Sequence, residues 1–113
     1  MNRKGFTLVE IMIVVAIIAL LAAIAIPNLL RARLQANESA AQSALKSIAT
    51  GEVSYRSANT DYATLTELGA ATPAYIDPTL GCAAEPCLKQ GYNFASGDIA
   101  GETFFASAIV FTL

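Results

Sequence analysis

The sequence has 113 residues, 55% of them hydrophobic and 14% charged, with a formal net charge of −2 and no histidine. That length suggests a single domain. Without histidine there is no Ser-His or Cys-His pair for nucleophilic catalysis; no Gly-rich phosphate cradle is present and no carboxylate pair stands at a recognisable spacing. The charge balance is not that of a nucleic-acid-binding surface, so the composition points to a non-enzyme that uses neither a cofactor nor a metal.

The most informative stretch comes first. Arg3-Lys4-Gly5 meets Phe6-Thr7-Leu8-Val9-Glu10, and an uncharged apolar run then extends from Ile11 to Ile26, closed by Pro27. A helix from Phe6 to Pro27 would be roughly 33 Å long, close to the roughly 30 Å of a bilayer core. Arg3 and Lys4 precede the run and the next basic residue is Arg31, which by the positive-inside bias leaves the N-terminus cytoplasmic and the rest facing outward. A carboxylate at the centre of a membrane helix costs about 2.5 to 3.5 kcal/mol. Glu10, at one end of the run, therefore asks for a partner. A cut after Gly5 would create one, because the new ammonium of Phe6 would lie at the same depth, and a carboxylate also suits the positive end of a helix.

The order Lys4-Gly5-Phe6-Thr7-Leu8-Val9-Glu10 before an apolar helix resembles the processing site of type IV prepilins and type II secretion pseudopilins. The resemblance implies that a prepilin peptidase cuts after Gly5 and methylates Phe6, that Glu10 is needed for assembly, and that Pro27 is the helix-bending proline. It further implies a homo-oligomeric filament whose core is made of the apolar helices. The subunit would wait as a single-pass inner-membrane precursor and be drawn out by an inner-membrane assembly machinery, into an extracellular pilus or a periplasmic pseudopilus. Major pseudopilins commonly hold calcium in a C-terminal loop. Only Asp98 and Glu102 stand near the C-terminal turn here, too few for a hard-cation site, so a pilus subunit is the favoured reading and a pseudopilin the alternative. A different class competes with both. Ala23-Ile24-Ala25 offers a small-x-small signal-peptide site, and cleavage there would release a secreted, disulfide-bonded binding module. An uncut anchor would leave Glu10 without a partner in lipid.

The expected organisation is a leader over residues 1–5, an apolar membrane and filament-core helix over 6–27, its amphipathic continuation over 28–58, and a small globular part over 59–113. After Pro27 the chain stays rich in helix formers, and Ala41, Leu45, Ile48 and Tyr55 recur on one helical stripe with Glu38, Gln42 and Lys46 off it. One helix from about Phe6 to Arg56 is predicted, kinked at Pro27 where a backbone donor is lost and weakened at Gly51. Arg31 and Arg33 suit lipid headgroups before assembly or a neighbour's acids afterwards. From Asn59 to Pro78 turn residues predict an irregular connector with a short helical turn at Thr64 to Leu68, Leu65 and Leu68 facing inward.

Cys82 and Cys87 are the only cysteines. In a domain placed outside the cytoplasm an oxidised pair is the default, and closing the six-residue loop contributes about 2 kcal/mol on the chain-entropy model. Gly91 to Ser96 and Thr103 to Phe111 read as a hairpin, with Tyr92 and Phe94 on one face and Phe105, Ser107, Ile109 and Phe111 on another, the apolar face packing on the helix stripe. The fold class is therefore α+β, a long helix on a small antiparallel sheet that is mostly one hairpin. Relatives of this shape usually carry at least one more strand. An apolar strand with an open edge invites pairing, so one reading has the edge marked by Thr103, Phe105, Ile109 and Phe111 covered by another chain, either a neighbouring filament subunit or a separately encoded partner adding a strand; the alternatives are a minimal two-stranded sheet or a truncated gene product.

Overall fold

The computed structural model describes residues 2–97 and 104–110. Five elements follow in order: α1 (Leu8–Ala58), α2 (Leu65–Ala70), β1 (Cys87–Lys89), β2 (Tyr92–Gly97) and β3 (Phe105–Val110). The chain divides into two compact units, Met1–Ala36 and Asn37–Leu113.

In the first unit the apolar run is helical throughout and Pro27 lies inside α1. The helix begins at Leu8, two residues later than the apolar pattern suggested. Thr7 is responsible, because its hydroxyl accepts the Glu10 N–H at 3.3 Å while the Glu10 carboxylate accepts the Thr7 N–H at 2.8 Å. This reciprocal pair is a capping box, which satisfies backbone donors at a helix start.

The second unit has its own core. Ala41 and Ile48 of α1 meet Ala63, Leu65, Leu68, Ile76, Leu80, Cys87 and Phe94, with Leu45 and Tyr55 packed alongside. The predicted helical stripe is thus the buried one. A second capping box, Thr64 with Glu67, starts α2, whose Leu65 and Leu68 are both fully buried. Gly69 of α2 packs directly on Gly81, where a Cβ on either residue would lie within 2.7 Å of the other's Cα.

The sheet corrects the sequence reading in two respects. Among the described residues the expected small antiparallel sheet has three strands in the order β1-β2-β3, one more than the hairpin expected to make up most of it. The added strand is only three residues long, and it joins β2 through Gln90-Gly91, both at positive φ (52° and 81°). Positive φ at both central residues is the requirement of a two-residue type I′ hairpin turn. Gly91 belongs to that turn and does not open a strand. The packing face of β3 also differs from the expectation. Phe94 pairs with Ala108 and Ser96 with Ala106, and residues directly opposite one another share a face, so Ala106 and Ala108 pack toward the core. Phe105 and Ile109 point the other way and are 62% and 66% exposed. The large ring of Phe94 fills that part of the core, and small residues suffice opposite it.

Gly51 is a contact point. It is buried, and a Cβ there would lie 2.7 Å from Ile76 Cγ2 and 3.1 Å from the Tyr75 carbonyl oxygen. Helix propensity alone makes Gly51→Ala stabilising by about 1 kcal/mol; overpacking against a buried loop costs about 1 to 3 kcal/mol. The expected result is net destabilisation, read as a lower urea midpoint of the detergent-solubilised chain.

Candidate functional site

Residues 2–7 are non-helical and exposed, so the Gly5–Phe6 peptide lies in an exposed arm just ahead of α1. A Cβ on Gly5 would meet nothing within 4 Å. Thr7 Oγ1 donates to the same Glu10 oxygen that receives the Thr7 N–H, at 2.9 Å. Two donors of one residue therefore hold the carboxylate at the entry of the apolar run. Beyond it every large apolar side chain of the run from Ile11 to Ile26 is exposed, from 50% at Ile11 upward. The helix contains a window long and apolar enough to cross a membrane, none of it buried within the chain. In soluble proteins contiguous apolar surface on this scale marks an interaction site. A run apolar on every side fits hydrocarbon or a bundle of like helices.

Cys82 and Cys87 form a disulfide with Cα atoms 5.6 Å apart, and the loop they close carries a second polar centre. Glu85 accepts the Leu65 N–H at 2.9 Å and the Ser96 hydroxyl at 2.6 Å on one oxygen and the Ser96 N–H at 2.7 Å on the other. The loop is thereby tied to both α2 and β2. Asp77 accepts from Thr79 and Lys89; the Thr79 N–H and hydroxyl and then the Lys89 ammonium hold its carboxyl below the ordinary value. At the end of α1, Arg56 donates to the Tyr62 hydroxyl at 2.9 Å and lies 4.9 Å from the centre of that ring, which in turn meets Phe104 at 4.8 Å. Among the described residues no group of three or more Cys, Asp or Glu is arranged to hold a metal ion.

Residues 1–26 match the family model described as the prokaryotic N-terminal methylation motif. Over 111 residues the chain is 38% identical to the type IV wide pilus major component PilA4 of Thermus thermophilus, covering 94% of this chain and 82% of that one. The chain belongs to the type IV pilin family. It is also 46% identical over 61 residues to the type IV major pilin protein PilA of Myxococcus xanthus, a match spanning 54% of this pilin and 28% of that longer protein. No solved structure matches it significantly.

The residues singled out in this pilin from its sequence occupy distinct places. Gly5 and Phe6 lie in the N-terminal arm, Glu10 in the first turn of α1, and Pro27 within that helix. The two cysteines are bonded at the start of β1. Phe105 and Ile109 lie on the outer face of β3, which pairs on one side with β2; Thr103 and Phe111, and with them Asp98 and Glu102 of the calcium alternative, fall outside the described residues. Sequence reasoning missed Thr7, although Thr-x-x-Glu ahead of an apolar run is a capping-box pattern. It also missed Glu52, which occupies the core stripe midway between Ile48 and Tyr55.

Proposed function

We propose that this chain is the structural subunit of a type IV pilus, held in the membrane as a single-pass precursor, cut after Gly5, methylated at Phe6 and polymerised through its apolar helix. The observation that carries the reading is the run from Ile11 to Ile26, exposed on every side and headed by a carboxylate beside a non-helical Gly-Phe peptide. Assembly exchanges lipid contacts along the run for contacts with like helices, which explains why that surface is not buried among the described residues. The relatives named as major pilus components support a homo-oligomeric product, served by a prepilin peptidase and an inner-membrane assembly machinery, with the N-terminus cytoplasmic before assembly.

Glu10 has a double role in this reading. In the precursor its charge is met by its own Thr7. After cleavage the Phe6 ammonium of a neighbour becomes available at the same depth, and the pairing sets the register between helices. Pro27, which leaves one carbonyl of α1 without its N–H partner, is the point at which the helix bends or unwinds to fit the filament.

The outer edge of β3 is the second assembly surface. Over Phe105–Val110 it carries no charge and no proline, the devices that ordinarily blunt an edge strand; the β1 edge, in contrast, is three residues long, follows Pro86 and includes Lys89. A neighbouring subunit covers the β3 edge in the filament.

Three outcomes test this reading. Intact mass and N-terminal sequencing of the protein from cells should give a chain beginning at Phe6 with one added methyl and two hydrogens missing for the disulfide; a chain beginning near Ile26 would overturn the filament reading in favour of a secreted module. Glu10→Ala should insert into the membrane and fail to assemble. Glu10→Gln should behave alike while keeping its capping box, because Gln serves equally at that position, and wild-type filament yield from Glu10→Gln would refute the role of the charge. Finally, the amides of Phe105 to Val110 should exchange faster in the detergent-held monomer than in filaments, and full protection in the monomer would sink the edge assignment.

A further inference from the structure

The start of α2 is held by three carboxylates from three separate parts of the second unit. The Ala63 N–H donates to Glu52 of α1 at 3.1 Å, the Thr64 N–H to Glu67 of α2 at 2.8 Å, and the Leu65 N–H to Glu85 of the disulfide loop at 2.9 Å. Three successive amides thus receive three acids, and the acids crowd one another. Two of them have water or further donors. Glu67 is exposed and bonded by the Thr64 hydroxyl, and Glu85 is bonded by Ser96 twice. Glu52 differs: at 1% exposure it is the one buried polar or charged side chain among the described residues.

The setting of Glu52 decides which of the three keeps a proton. Its place in the stripe Ala41, Leu45, Ile48, Glu52, Tyr55 aims it into the apolar interior, where an unpaired carboxylate is costly. The groups that face it from the packed elements are Glu67 on α2 and Glu85 on the disulfide loop, both of its own sign. On α1 itself the nearest cation in sequence, Arg56, bonds the Tyr62 hydroxyl. Beyond the Ala63 N–H, nothing charged on α2 or the disulfide loop favours ionisation of Glu52.

We infer that Glu52 is a proton-operated latch on the connection between α1 and α2, closed over the Ala63 amide when neutral and loosened when ionised beside Glu67 and Glu85. Burial first, then the charges of Glu67 and Glu85, raise its carboxyl above the ordinary 4.5, against the opposing pull of the Ala63 N–H. The folded state therefore holds this proton more tightly than the unfolded one does. Stability from the latch is fully present below the unfolded value and is lost as pH rises through the folded one. A filament built of such subunits carries the sensor at the root of its connecting loop, and the loop opens toward alkaline pH. This inference stands on the second unit alone and is independent of the processing and assembly proposed above.

The test uses the full chain with its disulfide intact, in detergent micelles. Carbon-detected NMR follows the Glu52 carboxyl directly, and hydrogen exchange at Ala63, corrected for the intrinsic rate, follows the latch from pH 4.5 to 8. The expected result is titration above 4.5 with opening at Ala63 increasing as the carboxyl ionises. In Glu52→Gln, which keeps an acceptor oxygen for the Ala63 N–H, the opening should not change with pH. A wild-type carboxyl that titrates at or below 4.5, or an opening profile identical in wild type and Glu52→Gln, overturns the latch. Should the variant fail to fold, the wild-type titration still decides the matter.

Discussion

Water satisfies neither the backbone nor the side chains of the first half of α1, and that constraint organises the molecule. Residues 11–26 form a helix whose own hydrogen bonds meet its backbone needs except at the Ala23 carbonyl, which Pro27 leaves without a donor, while none of its apolar window is buried among the described residues. The remaining difficulty lies at the helix start, where the first N–H groups have no intrahelical acceptor. The Thr7–Glu10 box answers it by giving the segment's one acid to the segment's own donors. A residue that reads as an isolated charge in a membrane is thereby part of the helix terminus.

The second unit solves a different problem with the continuation of the same helix. Among the described residues its core is small, nine buried apolar residues drawn from α1, α2, the loops on either side of α2 and two strands. Domains of this size bury a modest share of their surface and depend on additional ties. Here the ties are polar and covalent: the Cys82–Cys87 bond, Glu85 bridging α2 and β2, and the Arg56–Tyr62 pair at the end of α1. Close backbone approaches serve the same end, Gly51 against Tyr75 and Ile76, and Gly69 against Gly81. Each lets an irregular segment lie against a helix where a side chain would hold it off.

How far the sequence reveals this depends on the range of the interaction involved. The apolar run and the stripe Ala41, Leu45, Ile48, Tyr55 are local patterns, and each occupies the expected place in α1, while the Gly-Phe-Thr-Leu-Val-Glu order straddles the helix start at Leu8. Leu65 and Leu68 were equally legible, because a single helical turn needs only its own residues. The strand β1 was not, since three residues carry almost no periodicity and their pairing with β2 is what makes them a strand. The packing face of β3 was not legible either, because alternation alone does not say which face meets the core; Phe94 is buried there at 1% exposure, while Phe105 and Ile109 face outward.

The sequence by itself determined what can be written along one helix or one motif: the family, the membrane-type segment and the α+β class. Such features follow from residues a few positions apart, whose spacing is set by the helix or the turn. Only the tertiary structure decided which atoms meet across long separations. Glu52 and Ala63 are eleven positions apart, Leu65 and Glu85 twenty. Charge, burial and hydrogen bonding at Glu52 arise from elements folded around it, and no pattern in the residues beside it records them.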